Sequence, residues 1–274
     1  MLATTRQHGV RALLMGGQAC IVYGASEFSR DVDLAICAAP DNLARLGAAL
    51  TDLRAEVIAV PPFEPEVLAR GHAVHFRCAA AGDMRRDVMA VMRGVPGFET
   101  CWARRTIVPL EGVGDVDVMG TEDLVAAKKT RPDKDWPVVR RLVDVHYRQF
   151  AGEPTPARVA FWLRELRTPE ALVDCARRAP EAAGTGGRGH RRPRAPEAAA
   201  AVGPEREVVA YARRAASGGL PLAALRAALA EEEDRERAAD DAYWRPLQQE
   251  LEAMRHAAGR RQQKLPPGGG GPTL

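Results

Sequence analysis

The sequence lacks any apolar run approaching the ~20 residues that a membrane-spanning helix needs. Its first residues, MLATTRQHGVRALLMGG, have too short an apolar stretch and the wrong flanks for a signal peptide. The five cysteines (Cys20, Cys37, Cys78, Cys101, Cys175) contain no Cys-x-x-Cys pair, and the six histidines have no zinc-type spacing. An odd number of thiols in mostly apolar surroundings fits reduced, buried cysteines. Neither sign of charge dominates: 39 Lys and Arg stand against 36 Asp and Glu, a formal net charge of +3. That balance by itself points to neither nucleic acid nor a membrane surface. The expectation is a cytoplasmic protein with no membrane association. At 274 residues the chain can hold one large or two modest domains with a hydrophobic core.

What the sequence does have is concentrated between Met15 and Ile36, MGGQACIVYGASEFSRDVDLAI. The apolar run Ala12–Met15 reads as a strand, and Gly16-Gly17 turns the chain. Gln18–Tyr23 reads as a helical segment that stops at Gly24. A second strand follows the loop Ala25–Arg30 and carries Asp31 and Asp33 one residue apart. Side chains alternate along a strand, so both carboxylates share a face while Val32 and Leu34 take the other. Two adjacent carboxylates repel each other and are costly to desolvate, a cost that a divalent cation removes. The plainer alternative is a solvated strand edge. The glycine pair favours the cation, because free N–H groups at a strand-to-helix junction suit phosphate. Small residues there also allow close approach of the backbone to a ligand.

Downstream, Pro40-Asp41 begins a helix with Asp41 as its cap, and Leu43, Leu46, Leu50 and Leu53 form its buried stripe. Glu56–Val60, Ala73–Cys78 and Asp87–Met92 read as strands, the last two joined by a turn at Ala81-Gly82-Asp83. Arg105–Leu110 and Asp115–Met119 read as a hairpin. Helices follow: Thr121–Lys129 capped by Thr121, then Asp135–Phe150 with Val139, Leu142, Val143 and His146 along one face. His146 reads there as a satisfied core histidine. Thr155-Pro156 and Thr168-Pro169 each open a further helix. Residues 180–204 are rich in Gly, Pro, Arg and Ala and read as a flexible basic linker. No aromatics are interleaved there for base stacking, and its GTGGRG run has neither a preceding strand nor the Lys-Ser/Thr ending of a phosphate loop. Glu205–Ser217 and Leu222–Ala258 resume as helices, with Glu231–Asp234 as a solvated, ion-paired face. Tyr243, Trp244, Leu247, Leu251 and Met254 form a packing stripe, and the PPGGGGPTL end is expected to be disordered.

The order strand, Gly-Gly, helix, Asp-x-Asp strand suits phosphoryl transfer, with glycines cradling a triphosphate and aspartates holding metal ions. In a two-metal site the ions lie ~3.5–4 Å apart, one activating the attacking oxygen and one steadying the leaving group. A third carboxylate on an adjacent strand completes such a site. Asp87 is the best placed, and Asp83, in an apparent turn, is the alternative. A second Asp-Val-Asp at Asp115–Asp117 follows a Gly-Val-Gly hairpin, so nothing upstream would hold phosphate, and it is read as structural.

These residues carry a resemblance. The stretch resembles the nucleotidyltransferase fold of the DNA polymerase beta superfamily, with its apolar residue, Gly-Gly or Gly-Ser, short gap and Asp-x-Asp. More narrowly it is similar to small bacterial nucleotidyltransferases that include toxin–antitoxin and abortive-infection members. Gly16-Gly17-Gln18-Ala19, Tyr23-Gly24, Arg30 and the segment TEDLVAAKKTRPDKDWPVVRRL carry that likeness. The resemblance covers about the first 150 residues. It implies Asp31, Asp33 and Asp87 as metal ligands and catalytic carboxylates for Mg2+ or Mn2+. It also implies Gly16 and Gly17 as the phosphate turn, Arg30 at the nucleotide, and Lys128 as a phosphate or structural lysine. Gly17 stands where many members have a serine whose hydroxyl helps hold the triphosphate, although Gly-Gly members exist among active enzymes.

The expected fold class is α+β, a nucleotidyltransferase-type sheet flanked by helices and followed by a helical C-terminal region. The expected organisation is a nucleotidyltransferase domain over residues 1–150, a helical extension over 151–179 and the linker over 180–204. C-terminal helices over 205–260 and a tail over 261–274 complete it. The expected function is transfer of a nucleoside monophosphate from an NTP to a protein, RNA or small-molecule acceptor with pyrophosphate release. The second expectation keeps the fold and drops the catalysis, leaving a binding protein, such as half of a toxin–antitoxin pair, that engages a protein partner through its helices. A weaker third is RNA binding through Arg140-Arg141, Arg177-Arg178 and Arg188–Arg194.

Overall fold

The computed structural model describes residues 1–58, 60–129, 132–178 and 206–264. Its fold is mixed α+β, and the chain divides into two compact units, Met1–Asp135 with Ala239–Leu274, and Trp136–Ala238.

The first unit runs α1 (Leu2–Gln7), β1 (Ala12–Met15), α2 (Gly16–Val22), β2 (Asp31–Ile36), α3 (Pro40–Asp52), β3 (Ala55–Val57) and α4 (Pro65–Ala69). It continues with β4 (Val74–Cys78), β5 (Met84–Met89), α5 (Phe98–Ala103), β6 (Thr106–Leu110), β7 (Gly114–Val118) and α6 (Thr121–Lys128). Among the described residues seven strands form one sheet in the order β3-β4-β5-β2-β1-β7-β6. Strand β2 is central, antiparallel to β1 and parallel to β5, while β7 runs parallel to β1. The outer pairs β3/β4, β4/β5 and β6/β7 are antiparallel. The core is built from the apolar side chains of the inner strands, Leu13, Leu14, Val32, Leu34, Ile36, Val88 and Val118, all buried. Leu46 and Leu50 of α3 are buried as well.

Strands β1 and β2 have the bounds expected from their apolar runs. Several other ends shift for local reasons. Helix α1 closes at Gly9, whose φ of +64° suits only glycine well. The cap of α3 is Ala39, with Pro40 at its first position, so Asp41 sits inside the first turn, paired with Arg45 at 3.0 Å. Gly120, not Thr121, caps α6. Strand β3 ends at Val57, and Ala59 in the expected strand lies outside the described residues. The correction with most consequence is β5, which starts at Met84. The expected turn therefore ends at Asp83, in the left-handed region at φ +58°, and Arg85 and Arg86 belong to the strand.

The second unit is helical: α7 (Pro132–Phe150) from Trp136 onward, α8 (Pro156–Glu165), α9 (Pro169–Arg178), α10 (Glu207–Ala216) and α11 (Leu222–Lys264) up to Ala238. Its core gathers Trp136, Val139, Leu142, Val143, Phe161, Trp162, Leu172, Val208 and Leu225. Thr155 caps α8 by accepting the Arg158 N–H at 3.2 Å, whereas the Thr168 hydroxyl donates to Asp144 at 2.6 Å. His146 is a core histidine: its Nδ1 accepts the Trp162 indole N–H at 2.9 Å. Burial, and then the Arg158 charge, lower its pKa to about 4.

The acidic run departs from expectation. Glu233 is buried at 3 % exposure between Arg140 and Arg237, and Glu232 receives both Arg206 and Arg167. Glu232 and Glu233 are thus drawn into ion pairs, mostly with cations from elsewhere in the chain, while Glu231 and Asp234 stay exposed as expected. From Ala239 onward α11 belongs to the first unit, where Glu250 takes His72 and Arg70 and Asp240 takes Arg93. Along the expected stripe, Trp244, Leu247, Leu251 and Met254 are half-buried, but Tyr243 is exposed with Arg93 over its ring. Residues 180–204 and the PPGGGGPTL end lie outside the described residues. Among the described residues no helix is long and apolar enough to cross a membrane.

Candidate functional site

The sheet register assembles the site. Asp33 of β2 lies opposite Asp87 of the parallel strand β5, and Asp31 lies opposite Arg85. Cross-strand partners share a face, so Asp31, Asp33, Arg85 and Asp87 form one patch on two neighbouring strands. His75 on β4 extends the row from Asp87, and Met15 on β1 extends it from Asp33. The intervening residues point the other way: Val32, Leu34 and Val88 are buried there, and Arg86 is fully enclosed, donating to the Thr5 hydroxyl and the Met1 carbonyl.

The glycine pair meets this patch directly. Helix α2 starts at Gly16 itself, with φ +65°. An added Cβ at Gly16 would lie 1.6 Å from Asp33 Oδ2, and one at Gly17 would lie 2.3 Å from Ser29 Oγ. What approaches the glycine backbone is therefore the Asp33 carboxylate on one side and the Ser29 hydroxyl on the other. The Gly17 N–H points to Asp33 Oδ2 at 3.4 Å, a long contact. Gln18 anchors the loop before β2 by donating to the Ser29 carbonyl at 3.2 Å.

The two facing carboxylates have opposite electrostatics. Burial, then the charge of Asp87, push the Asp33 pKa up to about 6, against the opposing pull of Lys128 and the Gly17 N–H. Burial also pushes Asp87 upward, but hydrogen bonds from His75 and Arg85 outweigh it and hold the carboxyl below its ordinary value. Arg85 grips Asp87 with both arms of its guanidinium, Nε to Oδ1 at 2.8 Å and Nη2 to Oδ2 at 2.9 Å. His75 Nδ1 lies 2.8 Å from Asp87 Oδ1. Asp33 thus has a carboxylate short of cations, and Asp87 has one fully engaged.

The remaining expected residues separate. Lys128, at the end of α6, reaches Asp135 at 3.3 Å, and its charge acts on both Asp33 and the buried Cys20. Burial pushes the Cys20 thiol up to about 11, which leaves it protonated and unreactive at neutral pH. Arg30 is exposed, with its guanidinium 5.8 Å from the centre of the exposed Phe28 ring. Tyr23 donates to Thr106 Oγ1 and lies 2.9 Å from the Met119 carbonyl, which ties α2 to the sheet rather than to the carboxylates. Asp117 of the second Asp-Val-Asp pairs with Arg105 at 2.5 Å. Asp83 stays in the turn.

The donor set suits a hard divalent cation in kind: three carboxylates on one face, one of them disfavoured as a charge by burial and by the facing Asp87, and packed against the backbone of Gly16. As they stand, however, no three His, Cys, Asp or Glu side chains among the described residues are grouped to hold a metal ion. Sequence reasoning missed Arg85 and His75, the partners of the third carboxylate. The available signal was the alternation in Met84–Met89, which places Arg85 on the face of Asp87. No family model matches the chain, and a search of curated proteins finds no match.

Proposed function

We propose that the protein is a metal-dependent nucleotidyltransferase that moves a nucleoside monophosphate from an NTP to an acceptor and releases pyrophosphate. The observation that carries this reading is the in-register pair Asp33 and Asp87 on adjacent parallel strands, with Asp31 two residues along the same face and the Gly16-Gly17 helix start against Asp33. In such a reaction an acceptor oxygen bonds to the α-phosphorus while its bond to the bridging oxygen breaks, and pyrophosphate leaves. Asp31, Asp33 and Asp87 would hold Mg2+ or Mn2+, which when bound supplies charge neutralisation at the phosphates and a more acidic attacking oxygen. Because Gly16 and Gly17 carry no side chain, the start of α2 lies directly against Asp33 and Ser29. The Lys128 charge acts on Asp33, and positive charge there favours an anionic substrate.

Incubation with labelled NTPs, magnesium or manganese and cell extract should label an acceptor, and Asp33→Asn should abolish the label. Equal labelling by wild type and Asp33→Asn would remove this reading.

The second reading, a protein-binding module with this fold and little or no catalysis, draws on the engagement of Asp87 by Arg85 and His75. It expects a partner whose capture survives replacement of Asp31 and Asp33 together by alanine. A pull-down with the full chain that recovers no specific partner would count against it. RNA binding has less support: Arg140 pairs with Glu233, and Arg177 and Arg178 pair with Asp174.

A further inference from the structure

The three carboxylates are not the only charged groups in the patch. Arg85 completes a two-by-two arrangement in which Asp31 and Arg85 occupy one cross-strand pair and Asp33 and Asp87 the next. Its guanidinium meets Asp87 through two parallel hydrogen bonds, and Nη2 lies 3.0 Å from His75 Nδ1. A bidentate arginine–carboxylate pair is among the stronger and more directional ionic contacts available to a protein. It also directs hydrogen bonds to both oxygens that a cation would need, and it places a positive charge where a second positive charge is repelled. Yet the Arg85 side chain is 42 % exposed, against 16 % for Asp87, so the arginine has a path to solvent that the carboxylate lacks.

We propose that Arg85 is an exchangeable counter-ion: it holds Asp87 in the metal-free protein and leaves that carboxylate when a divalent cation enters. This inference rests on the nucleotidyltransferase reading and assigns Arg85 as a positioning residue for its metal site. Asp33, short of positive charge, is the point of entry for the cation, and Asp87 is recruited only as the guanidinium swings away. No chemical bond is made or broken in the step; one cation replaces another beside the same oxygens.

The test is direct Mn2+ binding to the full chain, followed by the paramagnetic resonance signal of free Mn2+, for wild type, Arg85→Ala, Arg85→Lys and Asp33→Asn. Removing a competing cation should tighten binding, by roughly tenfold or more for Arg85→Ala, in the range by which neighbours of metal ligands alter affinity. Arg85→Lys keeps the charge but loses the fork, so it should fall between Arg85→Ala and wild type, and it carries the test if Arg85→Ala does not fold. Asp33→Asn should bind more weakly than wild type. A purely structural arginine would give the opposite sign, because its loss would loosen the site. If the arginine variants bind Mn2+ no more tightly than wild type while Asp33→Asn weakens binding, the exchange is wrong and the metal site stands. If no variant and no wild-type protein binds Mn2+, the nucleotidyltransferase reading falls, and the exchange falls with it.

Discussion

Replacing Asp33 by asparagine should stabilise the metal-free protein while destroying its proposed chemistry. The Asp33 pKa is raised from 3.8 to about 6, first by burial and then by the facing Asp87. A raised carboxyl pKa means the folded protein binds that proton more tightly than the unfolded chain. Its stabilising contribution is therefore complete below 3.8 and is lost as pH rises through about 6. At neutral pH the folded state carries a charge that it accommodates poorly. A rise from 3.8 to about 6 corresponds to about 3 kcal/mol, and because Asp33 is only partly enclosed, solvent screening reduces this to roughly 1–3 kcal/mol. Asparagine keeps an oxygen to accept the Gly17 N–H and removes the charge, so the packing against Gly16 is preserved.

Scanning calorimetry in chelator at pH 7.5 should place the Asp33→Asn sheet-unit transition roughly 2–8 °C above that of wild type, since ~1 kcal/mol moves the midpoint of a domain this size by a few degrees. Near pH 4 the gap should close, because both side chains are then largely neutral. Millimolar magnesium should raise the wild-type transition and leave the variant almost unmoved. An Asp33→Asn protein as stable as wild type, or less stable, in chelator at pH 7.5 would refute the argument that Asp33 is a carboxylate held against its preference.

Gly16→Ala should destabilise the sheet unit by roughly 2–4 kcal/mol, combining a left-handed backbone penalty with displacement of Asp33; Gly24→Ala, with φ +72° and nothing within 4 Å, isolates the backbone share and should cost less. Calorimetry of the two variants checks the difference, and equal losses would remove the steric role of Asp33. The helical unit should lose roughly 1–3 kcal/mol on acidification, because the lowered His146 pKa gives a contribution that is complete above 6.5 and lost as pH falls through about 4. His146→Gln, which retains an acceptor for Trp162, should flatten that dependence, and an unchanged acid profile would assign it to other groups.

The inner sheet and half of the site were legible because their causes are local. Short apolar runs give β1 and β2 their limits, with Gly16 closing the first, and alternation puts Asp31 and Asp33 on one face. Beyond that, the reading fails wherever a charged residue is answered from far along the chain. Arg85 and Arg86 lie between the expected turn at Ala81–Asp83 and the expected strand from Asp87, yet Arg86 is fully enclosed on the back of β5 and Arg85 grips Asp87 on its front. Starting β5 at Asp87 therefore concealed Arg85, which with His75 holds the third carboxylate. The run around Glu232 and Glu233 failed in the same way, because its cations arrive from Arg140, Arg167 and Arg206 on other segments. A charge pattern specifies which side chains want a partner, and only the register says which partner they find. At the site that difference carries the chemistry: Asp33 is left wanting a cation and Asp87 already has one. A metal ion that satisfied both would have to supply the first and dislodge the second.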